Sequence, residues 1–491
     1  MFVLTTFDAV FGVVALALWY HLYTRQGSPP LPPGPKRWPV IGNLLDMPRS
    51  HAWKTFSAWA EVYGGIVGVK LIGQSFVILN DRVIMIAAEL LNKKVNADRP
   101  LLHMANLSGW ESVLSSARYG SRFRAYRKLI AQVIGNRTKM ENFYPTLEYQ
   151  ANMFLKRVLS NPEGFDMTQA TRKTAGAVVL KVTYGYVVKE DGNDSLVDLA
   201  DKALLEFSEI TRPGAFLVDL IPVLRHIPSW FPGAGFKRRA ERYRKSIEEM
   251  AQIPLEYVQS QMSEQTAAQS FTSDLLKDGD VSPNTPEEIK WSAASFYGAG
   301  ADTTVSVVMA YFLAAAQYPC IQRAAQAEMD TVVGTKRLPT FGRTELPCRA
   351  QQFNVGVPHR AMEDDIYNGY LIPKGSLVIA NVWKFLHDPK EYKDPFEFNP
   401  DRFLGVNAEP DPKHRGVFGY GPRGCPGEHL ADIAVWISVA KAIAGLNIAR
   451  ARDANGKEID PVADTTDGTI SCEVTPRSDV TMTLVMDALS N

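Results

Sequence analysis

A single cysteine sits among glycines in the stretch Phe418-Gly-Tyr-Gly-Pro-Arg-Gly-Cys425-Pro-Gly427. The residues that follow, EHLADIAVWISVAKAIAG, have the period of a helix. Three features of this arrangement favour a thiolate. A helix N-terminus carries partial positive charge. Arg423 lies two residues away. Backbone N–H groups freed by the glycines can point at the sulfur. A thiolate held this way is a soft, strongly donating metal ligand. The other use of such a loop is phosphate binding with an incidental cysteine. That would need the Lys-Ser/Thr ending of a P-loop, which is absent.

A second group able to do chemistry is Ala299-Gly-Ala-Asp302-Thr303-Thr304. An acid beside an alcohol can pass protons, although a Thr in an apolar helix is more often only a satisfied core residue. The pair must sit on a helix. Thr285-Pro-Glu-Glu288 has the composition of a helix start, and Tyr318-Pro319 should stop it near Gln317. Gly298 and Gly300 weaken this helix, and Thr303 can bond its own backbone and bend it.

Phe418, Gly421, Arg423, Cys425 and Gly427 fill every fixed position of FxxGxRxCxG. On that motif the chain resembles the cytochrome P-450 superfamily, and it looks most like the fungal microsomal members. The resemblance runs along nearly the whole chain and implies a heme b whose iron is bound by the Cys425 thiolate. It implies that Asp302 and Thr303 match the AGxDT motif that relays protons for oxygen activation. Phe123-Arg-Ala-Tyr-Arg127 resembles the WxxxR segment, with Phe123 replacing the usual Trp. Arg127 and Arg360, the latter in Pro358-His359-Arg360, would then meet the heme propionates through charge-assisted bonds. Phe398-Asn-Pro-Asp-Arg402-Phe403 matches the meander motif, in which Arg402 is structural.

The chain departs from the family at one place. An E-x-x-R pair is expected between the oxygen helix and the meander, where it bonds the meander Arg. The only matches here, Glu209–Arg212 and Glu241–Arg244, precede Asp302. The expected stretch, 345–360, is about ten residues shorter than the family pattern, and Pro347 breaks helix. The locking helix thus reads as deleted near 346–356, through mis-splicing or in a degenerate paralogue. Arg402 would then be left buried without its partners, at a cost of about 3–5 kcal/mol, and heme would be held poorly.

The elements around these residues follow from composition and pattern. The 491 residues are 46% hydrophobic and 22% charged, ordinary for a globular chain. Lys+Arg and Asp+Glu are both 53, which argues against nucleic-acid binding. Cys320, Cys348, Cys425 and Cys472 are far apart and suggest neither a zinc ribbon nor a disulfide framework, in keeping with a reducing, cytosol-facing setting. Phe2–Tyr23 is almost wholly apolar, with Trp19, Tyr20 and Tyr23 at its exit and Arg25, Lys36 and Arg37 beyond. It reads as an uncleaved transmembrane anchor with the body of the protein in the cytosol; Asp8 keeps a buried helix as the alternative. The proline-rich run that follows reads as a stiff hinge, or in isolation as an SH3-type ligand.

Residues 65–80 read as a strand pair, about 110–335 as mainly helical with Pro-rich breaks at 213–232, and 237–245 as a solvated helix face. Strand signals return over Tyr370–Ala380 and Thr469–Leu484. The expected architecture is α+β and mainly helical: a single large cytochrome P-450-like domain with minor β-sheets. The anchor takes 1–24, the hinge 25–43 and the domain 44–491. The first reading of function is an endoplasmic-reticulum monooxygenase that inserts one oxygen atom of O2 into an apolar small molecule of fungal secondary metabolism. Its electrons would come from an NADPH-dependent cytochrome P-450 reductase. The rival is a catalytically dead or mis-spliced heme-binding member of the same family.

Overall fold

A computed structural model describes residues 29–80, 89–160, 167–212, 214–277, 285–341, 356–453, 455–461 and 472–490. The expected anchor, and residues 342–355 where the E-x-x-R helix reads as deleted, lie outside the described residues. Chain contacts divide the molecule into two units, one of residues 1–98, 354–391 and 419–423, the other of 99–353, 392–418 and 424–491.

The first unit is built on a small sheet. Strands β1 (Ile66–Leu71) and β2 (Gln74–Leu79) form the expected hairpin, closed by Ile72 and Gly73 at φ 43° and 89°. Two left-handed residues in a two-residue loop match the twist of the flanking strands. β3 (His359–Arg360), β4 (Asp365–Tyr367), β5 (Tyr370–Ile372) and β6 (Leu377–Ala380) follow. The order in the sheet is β1-β2-β6-β3, with β6 parallel to β2 and antiparallel to β3, while β4 and β5 pair separately. Helix α1 (Ala52–Tyr63) buries Phe56 against Val67, Val69 and Ile78.

Part of the proline-rich run lies along β1. Gly68 N–H donates to Pro33 O at 2.8 Å and Asn43 N–H to Lys70 O at 2.6 Å. A Cβ on Gly34 would stand 2.2 Å from Gly68 O, so only glycine admits this approach.

The second unit is helical. Its main elements are α2 (Ser121–Ile134), α3 (Tyr144–Ser160), α4 (Met167–Tyr184), α5 (Ser195–Thr211), α6 (Gly235–Ser263), α7 (Thr285–Gln317), α8 (Pro319–Val332) and α9 (Glu428–Gly445). The antiparallel pair β7 (Leu446–Arg450) and β8 (Cys472–Pro476), then α10 (Thr481–Ser490), complete it. α7 has the expected bounds and is the axis: α2, α4, α5, α6 and α9 all pack on it. By length and composition Pro286–Gln317 could cross a bilayer. Ala293, Ala294, Tyr297 and Phe312 are fully buried, so α7 serves as a core helix. The glycine at 300 has a packing reason: a Cβ there would meet Val179 Cγ2 of α4 at 2.5 Å.

One strand expectation fails in part. Cys472–Pro476 is a strand, but Thr481–Leu484 opens a helix. Ser478 N–H donates to Thr481 Oγ1 at 3.1 Å, half of a capping box, and Thr481 and Val485 are buried. The β-branched residues that suggested a strand are held helical by that cap and by packing on α3.

Candidate functional site

The cysteine loop bends through glycines in the left-handed region, Gly416 at φ 83°, Gly419 at 77° and Gly421 at 52°. It closes on itself where Cys425 N–H donates to Phe418 O at 2.6 Å. α9 starts at Glu428, so the sulfur stands just ahead of a helix N-terminus. Cys425 keeps solvent-accessible surface. Burial among its neighbours pushes the thiol up, while the Gly427 N–H and the Arg127 guanidinium pull it down and Glu428 opposes them. Amide donation from Gly427 was expected. A guanidinium charge reaches the sulfur from Arg127, nearly three hundred positions earlier in the chain, a pairing that no local spacing reveals.

Arg127 is carried on α2 and donates to the Gly424 carbonyl. Burial pulls its pKa down, and Cys425 and Glu428 raise it. Phe123, one turn earlier, is buried in the core beside Tyr126. Arg127, Phe418, Cys425 and Gly427 are thus brought together in the second unit. Arg360 and Arg423 belong to the first unit, where they converge on two adjacent residues. Arg423 Nε donates to Ala97 O at 2.6 Å, and Arg360 pairs with Asp98 at 3.5 Å while its N–H donates to Asp98 O at 2.9 Å.

α7 interrupts its own burial. Ala299, Asp302, Thr303 and Ser306 are exposed, whereas Phe296, Tyr297, Ala301, Val305 and Val308 are buried. The exposed four fall at i, i+3, i+4 and i+7, a single helix face. Thr303 Oγ1 donates to Ala299 O at 2.9 Å, the back-bond expected from its type. α9, headed by Cys425, packs on this same helix.

Arg402 departs from expectation. Its guanidinium pairs with Glu409 at 2.7 Å. It also donates to the carbonyls of Asn399, Lys393, Asp394 and Glu397. The charge expected to lie unpaired is therefore satisfied within the meander, and the stability argument for a defective chain loses its ground. Glu409 follows Arg402 by seven residues and could have been considered from the sequence alone.

The donor set fits a metal that brings most of its ligands with it. Among the described residues no group of three or more His, Cys, Asp and Glu could hold a metal ion. A lone accessible sulfur, with an amide and a guanidinium beside it, is a donor that would hold the iron of a heme.

The chain matches the family model Cytochrome P450 over residues 32–444. Cytochrome P450 monooxygenase 208 of Postia placenta is 47% identical, with 96% of this chain and 95% of the relative covered. Cytochrome P450 monooxygenase claR of Ampulloclitocybe clavipes is 40% identical, covering 97% and 91%. O-methylsterigmatocystin oxidoreductase of Aspergillus flavus is 36% identical, covering 94% and 91%. With a cysteine loop, an accessible face on the long helix and full-length similarity to fungal monooxygenases, the chain belongs to the cytochrome P450 family and is an oxidoreductase of its monooxygenase type.

Proposed function

We propose that this chain holds heme b through the Cys425 thiolate and inserts one oxygen atom of O2 into an apolar small molecule of fungal secondary metabolism. Electrons come from an NADPH-dependent cytochrome P-450 reductase. The observation that carries this reading is the accessible stripe Ala299, Asp302, Thr303 and Ser306 on a core helix that packs against the helix headed by Cys425. Bound heme supplies the oxygen-activating chemistry.

The protein's own residues have distinct tasks. Cys425 donates charge from its sulfur. Burial pushes the thiol up on balance, and the Gly427 N–H and the Arg127 guanidinium offset part of that in favour of the thiolate. Phe418 accepts the Cys425 N–H and fixes the loop. Arg127 and Arg360 offer guanidinium donors to the acidic groups of the cofactor. Asp302 and Thr303, on the accessible face of α7, relay protons through a carboxyl and a hydroxyl. Phe2–Tyr23 anchors the protein in the endoplasmic reticulum membrane as a single span, with the catalytic part in the cytosol.

The deciding experiment is a reduced carbon-monoxide difference spectrum of the purified chain and of Cys425→Ser. The parent should give the band of a thiolate-bound heme, and the serine variant should lose it, because a neutral hydroxyl cannot donate charge as a thiolate does. A parent without heme, or a variant with an unchanged band, would sink the assignment.

A further inference from the structure

The short helix His103–Leu107 is joined to the segment holding Leu217–Leu220 and Pro222–His226 by side chains outside the site described above. The Asp219 carboxylate accepts the backbone N–H of Met104 at 2.9 Å and that of His103, so it caps the short helix from a distant part of the chain. Arg225 Nε donates to His226 Nε2 at 2.9 Å, and Arg225 Nη1 lies 3.5 Å from His103 Nδ1. Among the described residues no carboxylate pairs with Arg225.

A guanidinium only donates hydrogen bonds. Each imidazole nitrogen that meets Arg225 must therefore accept, and neither can carry a proton at that position. A proton on either ring removes the bond and sets two cations side by side. The contact thus needs both imidazoles neutral, and imidazole is the side chain that gains charge just below neutral pH.

The other charged groups around the short helix are engaged elsewhere. Arg244 of α6 donates to the Asn106 and Leu107 carbonyls and pairs with Glu248. Glu111 accepts from Asn106. On α5, Glu206 and Glu209 bond Ser246 and Arg239 of α6. Burial and Arg225 lower the His103 pKa, and Asp219 opposes them. The joined form therefore binds fewer protons at His103 than the parted form, and acid favours parting. Asp219 works the other way, since burial raises its pKa, but that effect belongs to the carboxyl range, below the imidazole one.

The chain beyond the short helix reaches the core helix. Leu114 N–H donates to Ser295 Oγ of α7 at 2.8 Å, and Ser295 stands one turn before Ala299, where the accessible face begins. We propose that His103, Arg225 and His226 form an acid-released latch that holds segment 217–226 on the short helix at neutral pH and parts to admit ligand to the accessible face of α7 when the imidazoles take protons. Admission of ligand rests on the monooxygenase reading above; the latch itself does not.

Hydrogen exchange of the full chain reads the latch through the Met104 amide, which Asp219 holds. Corrected for its intrinsic rate, that amide should open about tenfold more at about pH 5.5 than at about pH 7.5. The Gly68 amide, bonded to Pro33 O, should show no such change. His103→Gln and Arg225→Gln should each lose most of the pH dependence at Met104. In the chain with reduced heme, stopped-flow binding of tert-butyl isocyanide, a bulky neutral heme ligand, should be about fivefold faster at the acid pH. In His103→Gln the binding rate should not change with pH. Met104 opening that ignores pH in the parent, or keeps the parental dependence in both variants, overturns the latch. Acid opening without faster isocyanide binding overturns its control of ligand entry. A parent with no thiolate band overturns the functional reading, and the exchange result still decides the latch.

Discussion

Arg402 shows what a single charged side chain requires in a protein interior. Its side chain is 9% exposed, and Glu409 and four carbonyls surround the guanidinium. Burying such a charge costs several kcal/mol unless it is paired and hydrogen-bonded. Glu409→Gln keeps the shape and removes the charge. It should cost about 2 kcal/mol, seen as a lower urea midpoint with an unchanged slope, and it should lower heme content per chain. A variant with parental midpoint and heme content would show that the carbonyls alone suffice.

Lys441 on α9 is 1% exposed and donates to Glu148 O and Asn152 Oδ1. Burial pushes its pKa down to about 8. The folded chain thus releases this proton near pH 8, while the unfolded chain keeps it until above pH 10. Between those values the unfolded state binds more protons, so stability contributed at this site rises with pH. Below about pH 8 both states are charged and the folded state bears the burial cost in full. The difference in stability between the parent and Lys441→Met should therefore change in favour of the parent as pH climbs from 8 to 10. A pH-independent difference would count against a buried, titrating amine.

Among the elements, α7 and α4 approach so closely that position 300 has no room for a methyl group. Gly300→Ala should overpack the contact with Val179 and destabilise by about 1–3 kcal/mol. Val179→Ala in the same chain should restore part of the loss. If the two changes simply add, the close approach is not what demands glycine. This contact also marks the limit of sequence reading. The glycines at 298 and 300 were legible as weak points of a helix, but their use for packing needs the partner helix.

The same boundary runs through the rest of the molecule. The β1–β2 hairpin, the bounds of α7 and the cysteine loop were legible, because turn residues, caps and motif spacing are local. Arg127 beside Cys425 and the packing of the helix at Thr481 on α3 were not, because each depends on neighbours that the chain brings together only by folding, whereas Glu409, seven residues after Arg402, was within reach of the sequence but outside the motif.

For the whole molecule, the membrane is the open test. Removing residues 1–26 should move the protein from the membrane fraction toward the soluble one, since that segment contains the Phe2–Tyr23 run. Exposed apolar side chains remain between α5 and α6, Trp230 at 79% and Val223 at 67%, so some of the truncated protein should stay bound. Full-length protein that is wholly soluble without detergent would refute the anchor.

The web around Arg402 has a consequence for how the chain folds. Every partner named for that guanidinium lies between Lys393 and Glu409. Closing so short a loop loses little chain entropy, and contacts of such low sequence separation form early. The meander can therefore act as its own cooperative unit, a foldon whose amides exchange together. Leu404 and Glu409 donate their N–H groups inside it, to Asp401 O and Arg402 O. In native-state hydrogen exchange these two amides should share one opening free energy, and Glu409→Gln should lower both equally.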